Sequence, residues 1–320
     1  MTATPADFAT FTPLAEAIRR ACILEASSAK PGNVHPRAAY PDLTFDDFVR
    51  SAAAASPALA RAGELGVGRA IFQAIEATRA VVSSNTNLGI VLLIAPLAAV
   101  PVDRSLRDGI GEVLDGLTRD DATWMYRAIR RAQPGGLGVA DDQDIASEPT
   151  GTLREVMALA ADRDGVAAQY ANGFDWVLSE GLPYLSSVGS EFEHCWESAI
   201  IELHLRLLAA HPDTLIARKC GESVALEASR RASECLKNLA KRAAVLKPDA
   251  PVEEFMIRPS RALQSSNASM AADLKDFDDW LRTDGHRRNP GTTADLVAAC
   301  LFAAIRERTI NCGTLCTNQC

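Results

Sequence analysis

The spacing of apolar residues constrains this chain most, because it follows the period of an α-helix almost throughout. Sustained alternation of apolar and polar residues, which is typical of half-buried strands, is nearly absent. The most apolar run, Leu88 to Val102, is interrupted by Gly89, Pro96 and Pro101 and is shorter than the about 20 residues that a membrane span needs. We interpret it as a buried central helix. The sequence therefore predicts an all-α protein.

Capping residues set the helix boundaries. Thr12 and Pro13 begin a helix that runs to about residue 29, and Thr44, followed by two aspartates, is typical of an N-cap. Further helices are predicted at about 67–83, 88–99, 104–117, 121–132, 152–161, 163–180, 190–210, 214–220, 223–246, 260–282 and 293–307.

Between the two halves lies the Gly-, Pro- and Asp-rich segment 133–150, which predicts a long loop. Candidate catalytic and ligand-binding residues fall on both sides of this loop, so we expect one composite site. The chain is predicted to form a single multi-helix domain over 1–320 with a disordered tail from about 309 to 320. Cys312, Cys316 and Cys320 in that tail fit none of the usual zinc spacings.

Composition limits the classes of binding partner and the cellular compartment that we expect for this protein. Hydrophobic residues make up 48% of the 320 residues, enough for a sizeable core, and 33 Lys and Arg against 41 Asp and Glu give a formal charge of −8. That balance argues against a nucleic-acid partner, which would need a basic face. No signal peptide is visible before Pro13, so we expect a cytoplasmic protein with small-molecule nucleotide substrates. The oligomeric state stays open, with a homodimer as one option.

Four polar, Gly-containing segments lie directly at predicted helix ends, and each has an ordinary explanation as a cap or a turn. Among the histidines and tryptophans on helices, we interpret His194, His204 and His211 as packing or capping residues, and the four Trp residues as core. The candidate site residues in the four segments are Glu25, Lys30, Gly32 and His35; Asn85, Thr86, Asn87 and Gly89; Asp213, Thr214, Arg218, Lys219, Gly221 and Glu222; and Gly291, Thr292, Thr293 and Asp295.

Taken together, the four segments favour a phosphate site. Exposed N–H groups at helix N-termini bind anions, and glycine permits a close approach of the backbone. The carboxylates of Asp213, Glu222 and Asp295 in the same segments would repel a bare phosphate. Mg²⁺ resolves this conflict, because it takes one or two carboxylates plus substrate phosphates as ligands. The sequence thus predicts a magnesium–polyphosphate site with these three carboxylates as candidate ligands.

At these segments the chain resembles the triphosphoribosyl-dephospho-CoA synthase family. The resemblance covers roughly residues 15–100 and 195–308, in the family's order. The family motif Glu-x(4)-Lys-Pro-Gly resembles Glu25 with Lys30-Pro31-Gly32, and the motif Asn-Thr-His-Lys-Gly resembles Asn85-Thr86-Asn87-Leu88-Gly89. The motif Asp-Thr-Asn-Val-x-x-Arg-x-Gly resembles Asp213-Thr214-Leu215-Ile216 with Arg218 or Lys219 and then Gly221. The closing motif Pro-Gly-Gly-Ser-Ala-Asp-Leu resembles Pro290-Gly291-Thr292-Thr293-Ala294-Asp295-Leu296.

The resemblance implies an all-α pentosyltransferase with ATP as substrate. Such an enzyme joins the ribosyl C1 of ATP to the 2′-hydroxyl of dephospho-CoA and expels adenine. It needs charge neutralisation on the triphosphate and a base for the hydroxyl. Asp213, Glu222 and Asp295 are the candidates for metal ligand and base, with Glu25 as a further catalytic candidate. Lys30 and either Arg218 or Lys219 are the candidates for phosphate contacts.

Two departures from the family pattern suggest a different donor or acceptor. Asn87 and Leu88 replace the family's His-Lys pair, and His35 replaces an Asp. Such variant motifs are similar to the branch found in organisms that use tetrahydromethanopterin-type carriers, whose cofactor contains a ribosyl phosphate on a ribitol hydroxyl. An inactive helical nucleotide-binding module is a further alternative. His35 is equally a general base, a proton donor to adenine, or a turn histidine bonded to backbone.

Overall fold

The computed structural model describes residues 11–133, 147–246 and 268–312. In this part of the chain there is no β-strand, and two isolated β-bridges join His35 to Ala38 and Tyr40 to Leu43. The all-α prediction is confirmed. The helices of the first half are α1 (Pro13–Ser27), α2 (Phe45–Leu59), α3 (Ala62–Leu65), α4 (Val67–Val81), α5 (Leu88–Ala99), α6 (Leu106–Asp115) and α7 (Arg119–Ala132).

The second half begins with shorter helices and ends with long ones. Its predicted helix 163–180 is divided, because Gly173 (φ 74°) and Phe174 (φ 64°) are left-handed and a π-helical turn, Trp176–Gly181, follows. The remaining helices are α8 (Leu153–Ala158), α9 (Gly165–Asn172), α10 (Leu182–Val188), α11 (Phe192–Ala210), α12 (Thr214–Cys220), α13 (Glu222–Leu246), α14 (Ala268–Arg282) and α15 (Gly291–Arg306).

Helix α5 is the centre of the main hydrophobic core. Its sequence, LGIVLLIAPLAA, is apolar on every side, so a helix of this composition must be surrounded by others. Helices α4 and α15 pack against it, and α1 packs against both α2 and α15. The first and last helices of the described chain are therefore neighbours in the core.

A second, smaller core lies beside the main one and is built by α11 to α14. Leu205, Ile216, Ala228 and Leu281 are fully or almost fully buried in it. Helix α11 joins the two cores, because Ile200 and Leu207 belong to the main core while Leu205 belongs to the second. The loop that connects α11 to α12 therefore lies where the two cores meet.

The predicted loop and tail lie largely outside the described residues, which exclude 134–146 and 313–320. Ile310 and Cys312, which the prediction places in the disordered tail, are buried against the main core. The residues 309–312 are therefore not a frayed end, because their apolar side chains find partners there. Cys316 and Cys320 fall outside the described part. No helix among the described residues has the length and apolarity to cross a membrane.

Candidate active site

Asp295 on α15 lies directly against α5 at Gly89. A Cβ atom built on Gly89 would lie 2.0 Å from Asp295 Oδ2 and 2.5 Å from its Cγ, far inside van der Waals contact. Only glycine at this position leaves room for the carboxylate. The family-like segments at residues 85–89 and 290–296 are therefore in contact here.

The Asp295 carboxylate is crowded by other acids. From the described residues it receives no hydrogen bond and no ion pair. Burial raises the pKa of Asp295 well above its usual value, and Glu25, Asp213 and Asp164 raise it further, while Arg218 opposes them. A carboxylate in such surroundings holds a proton or a cation more readily than an exposed one.

Glu25 on α1 forms a buried ion pair with Lys30. Lys30 Nζ lies 3.0 Å from Glu25 Oε1, and the two side chains are 0% and 4% exposed. The ammonium also donates to the backbone oxygens of Glu25 and Ser28. Burial raises the pKa of Glu25, and the Lys30 charge opposes that rise. Lys30 thus has no exposed surface for a phosphate, and its observed contact positions Glu25. We call Glu25, Gly89 and Asp295 the acidic site.

Asp213 caps two helices at once. Its Oδ1 accepts from the backbone N–H groups of Leu215 (2.9 Å) and Ile216 (3.0 Å) at the start of α12. Its Oδ2 accepts from the N–H and the hydroxyl of Thr293 in α15, both at 2.8 Å. These bonds occupy the four acceptor positions of a carboxylate. In this arrangement Asp213 has no lone pair left for the metal ion or the proton that the sequence assigned to it.

Two threonines extend this capping arrangement to a third helix. Thr214 Oγ1 accepts from the N–H of Gly165 at 3.1 Å and lies 3.1 Å from Thr292 Oγ1. Asp164 caps α9 through Val166 and Ala167 and binds Arg218 at 2.6 Å. The N-termini of α9, α12 and α15, with their partial positive charge, are therefore joined. We call Asp164, Asp213, Thr214, Thr292 and Thr293 the cap junction.

Asp164 is not among the predicted site residues, because the predicted helix starts at 163, two residues before the observed start at Gly165. The signal that could have found it is its position before a helical run, since Asp is a preferred N-cap and Asp213 precedes its helix in the same way. Cys22 was also missed. Burial raises the pKa of its thiol to about 12, with Glu25 and Asp295 as smaller causes. This places Cys22 at the wall of the acidic site.

Gly291 and Gly32 have structural reasons to be glycine. A Cβ on Gly291 would lie 2.6 Å from Leu215 Cδ2, so this glycine lets α15 approach α12. Gly32 has φ +77°, and a Cβ there would lie 2.8 Å from Pro290 Cδ. Its N–H donates to Asp278 Oδ1 at 2.7 Å. Neither glycine needs a bound ligand to explain it, and their predicted ligand contacts stay predictions.

His35 lies in a tight turn away from the cap junction. Its Nδ1 accepts from the N–H of Arg37 at 3.3 Å. Burial first, and then Arg282 and Arg37, lower the pKa of His35 to about 4. The ring is therefore neutral near pH 7 and has no readily lost imidazolium proton. Its predicted role as an acid for adenine is disfavoured, and the turn-histidine alternative matches the contact that is seen.

The segment before α5 is mostly engaged in local contacts. Asn85 Oδ1 accepts from the N–H of Leu88 at 3.2 Å, and Thr86 Oγ1 lies 2.5 Å from Ser51 Oγ. Asn87 donates to Thr78 Oγ1 at 3.0 Å. Its own Oδ1 is buried without a partner among the described residues and faces a small cavity between α1, α2 and α5. Asn87 is therefore the one predicted residue of this segment with an unused buried acceptor.

The remaining predicted residues lie around the exit of α12. Glu222 and Gly221 are exposed, and Gly221 has φ +94° with open space around it. Lys219 is half-buried, which lowers the pKa of its ammonium. Among the described residues, no three His, Cys, Asp or Glu side chains are grouped so that they could hold a metal ion. The predicted ligand trio of Asp213, Glu222 and Asp295 is therefore not preassembled.

The donor set fits a magnesium ion held mainly by substrate. Mg²⁺ commonly takes one or two carboxylates and completes its shell with phosphate oxygens and water. Asp295 offers a carboxylate without a hydrogen-bond donor, and the carboxylate of Glu25 acts on it electrostatically. A cation beside these two acids would relieve their repulsion. Asp295, with Glu25 as its neighbour, is therefore where a metal–phosphate complex would be held.

Fold and site together define an all-helical protein with a carboxylate buried beside helix N-termini. The chain belongs to the CitG family, ATP:dephospho-CoA triphosphoribosyl transferase, whose model matches residues 11–313. It is similar in structure to a provisionally assigned triphosphoribosyl-dephospho-CoA synthase from Archaeoglobus fulgidus, with a TM-score of 0.57 and 23% identity over 80% of this chain and 97% of that one. At this identity the likeness shows the fold alone. No curated protein matches the sequence.

Proposed function

We propose that this chain transfers the 5-triphosphoribosyl group of ATP to a hydroxyl of 3′-dephospho-CoA and releases adenine. Family membership supports the class of reaction. The observation that carries the proposal is Asp295, a buried carboxylate with a raised pKa and no donor, placed beside the joined N-termini of three helices. A carboxylate of raised pKa is a stronger base than an ordinary one, which suits removal of a hydroxyl proton.

Each neighbouring residue then has a separate task. Asp295 accepts the proton of the attacking hydroxyl, and the Lys30–Glu25 pair fixes the acid next to it. Asp213 and Thr293 hold the start of α15, and hence Asp295, at a constant position. Arg218, whose side chain is 31% exposed beside Asp164, is the candidate cation for the triphosphate. When bound, Mg²⁺ would supply positive charge to the triphosphate beside the acidic site.

A second acceptor class is favoured by the segment before α5. Leu88, where the family pattern has Lys, is only 8% exposed and packs in the main core, so this position offers no positive charge to a phosphate. Loss of a phosphate-binding cation favours a different substrate. The alternative is a ribosyl-phosphate transferase in the biosynthesis of a tetrahydromethanopterin-type cofactor, with a ribitol hydroxyl as acceptor.

The test is product analysis with both acceptors. The enzyme is incubated with Mg²⁺ and either ATP or phosphoribosyl pyrophosphate, together with dephospho-CoA or a ribitol-bearing pterin, and adenine and pyrophosphate are separated by chromatography. Adenine released only with dephospho-CoA supports the main proposal. Pyrophosphate without adenine would replace it with the one-carbon-cofactor reaction. No product, combined with magnesium-dependent nucleotide binding by calorimetry, would leave the inactive binding module.

A further inference from the structure

We propose that His211 is the acid that protonates the departing adenine, with Glu180 as its countercharge and Trp176 as its support. The inference rests on the proposed release of a purine from ATP. A purine leaves C1′ slowly as an anion and much faster once a ring nitrogen is protonated, so the reaction needs an acid near the base. His35 lies in a tight turn and is neutral near pH 7, so it does not supply that proton.

The three side chains form one compact group. The rings of Trp176 and His211 are stacked, with centroids 3.9 Å apart and planes 15° from parallel. His211 Nε2 lies 2.9 Å from Glu180 Oε1 and 3.0 Å from Oε2. The stacking and the carboxylate together fix the orientation of the imidazole. A carboxylate held on one ring nitrogen also balances the charge of the imidazolium form.

One nitrogen of His211 stays available. The contact with Glu180 uses Nε2, and among the described residues no partner reaches Nδ1. The side chain of His211 is 20% exposed and that of Glu180 is 40% exposed, so a ligand can approach the pair. A proton on Nδ1 can thus pass outward while Nε2–H remains bonded to Glu180.

The group lies next to the cap junction. A Cβ built on Gly165 would lie 3.2 Å from Trp176 Cζ3 and 3.0 Å from Thr292 Cγ2, so the indole and Thr292 flank the same backbone. In the sequence, His211 precedes Asp213 by two positions at the exit of α11. Trp176 and Glu180 both belong to the π-helical turn, a form that recurs at functional sites.

The proton balance is complete with these residues. The C1′–N9 bond breaks and its electron pair goes to the purine, which takes the proton from His211 Nδ1 at a ring nitrogen. The hydroxyl oxygen of the acceptor forms the new bond to C1′, and its proton passes to the Asp295 carboxylate. Solvent then returns a proton to His211 and removes one from Asp295, so no further reactant is needed.

The decisive experiment compares two donors in His211→Gln. ATP carries a base that must be protonated, whereas the base of N7-methyl-ATP is already cationic and departs as a neutral molecule. We expect His211→Gln to lose about 10²–10⁴-fold in turnover with ATP, the range for removal of a general acid. With N7-methyl-ATP, after subtraction of the enzyme-free rate, it should retain turnover close to that of the wild type. An equal loss with both donors would overturn the assignment.

Two further variants protect the test against misfolding. His194→Gln changes an exposed histidine on α11, the helix that precedes His211, and should leave turnover with both donors unchanged. Glu180→Gln keeps the shape of the partly exposed partner and should show a smaller, ATP-selective loss; a loss shared by both donors would contradict the role given to Glu180. If the wild type releases no adenine with any acceptor, the proposed function fails. If the wild type releases adenine and His211→Gln does so at the same rate, only the role of His211 fails.

Discussion

The cap junction and the acidic site each contain a buried aspartate, yet the two carboxylates differ in their hydrogen bonding. In the cap junction both oxygens of Asp213 are saturated with short hydrogen bonds. In the acidic site Asp295 has acidic neighbours and no donor among the described residues. A satisfied carboxylate stabilises the fold, whereas an unsatisfied buried one costs stability unless it serves a ligand or a reaction. The two aspartates are therefore expected to respond differently to the same substitution.

Asp295→Asn should have the largest effect on activity and almost none on stability. Removing one electrostatic group from the reacting centre costs about 10²–10³-fold in turnover. Because burial and neighbouring acids raise the pKa of Asp295, ionising it costs the folded state free energy, and the neutral amide avoids this cost. The melting temperature should hold or rise, measured beside steady-state release of adenine. Wild-type turnover in this variant would remove Asp295 from the mechanism.

Asp213→Asn should reverse that pattern and lower the stability first. An amide cannot accept on both sides, so either the α12 bonds or the Thr293 bonds are lost, and its NH₂ group then faces other donors. We expect a loss of roughly 2–4 kcal/mol in the free energy of unfolding, the scale for losing hydrogen bonds to a charged group. Urea titration measures it. If the urea midpoint is unchanged and turnover is lost, Asp213 takes part in the reaction itself and is not only a helix cap.

Gly89→Ala should reduce turnover by about tenfold, a barrier increase of about 1.4 kcal/mol, without unfolding the protein. Alanine is favoured over glycine in a helix by up to about 1 kcal/mol, but its Cβ would displace the Asp295 carboxylate. Gly111→Ala in α6, where a Cβ meets nothing within 4 Å, is the matched control. Equal turnover in the two variants would show that the contact between α5 and Asp295 has no catalytic consequence.

The smallest expected effect is on the pH dependence of stability. The folded pKa of His35, about 4, lies below the ordinary 6.5, so protonation favours the unfolded chain. Its contribution is fully present above pH 6.5 and is lost as the pH falls towards 4. The stability difference between wild type and His35→Gln should therefore change by about 1 kcal/mol, allowing for solvent screening, over that window. Thermal melts against pH measure it. A stability difference between the two proteins that does not change with pH would contradict the lowered pKa of His35 in the folded state.

Helix positions could be predicted from the sequence because they depend on local spacing and caps. Helix α5 agrees with its predicted bounds of 88–99, and the predicted caps Thr12 and Thr44 begin α1 and α2. The split at Gly173 and Phe174 was not predicted, since left-handed φ at a phenylalanine depends on tertiary packing. Local signals therefore located the elements but not their irregularities.

The site could be located from the sequence but not resolved into roles. Asp213 and Asp295 were equivalent candidates, because each precedes or opens a helix. What separates them is Thr293, which lies 80 positions from Asp213 and whose hydrogen bonds no local pattern encodes. The same holds for Trp176 and His211, which were interpreted separately as core and capping residues. Their stacking is visible only after folding.

The packing of α1 against α15 also has a consequence for synthesis on the ribosome. Glu25 and Asp295 are separated by 270 or so residues, which elongation at about 5–20 residues per second adds in roughly 15 to 50 s. During that interval the apolar face of α1 lacks its final partner, and the nascent chain exposes it to solvent or to a chaperone. The acidic site is therefore among the last parts of the protein to form, and premature termination before α15 would leave a product without a reactive centre.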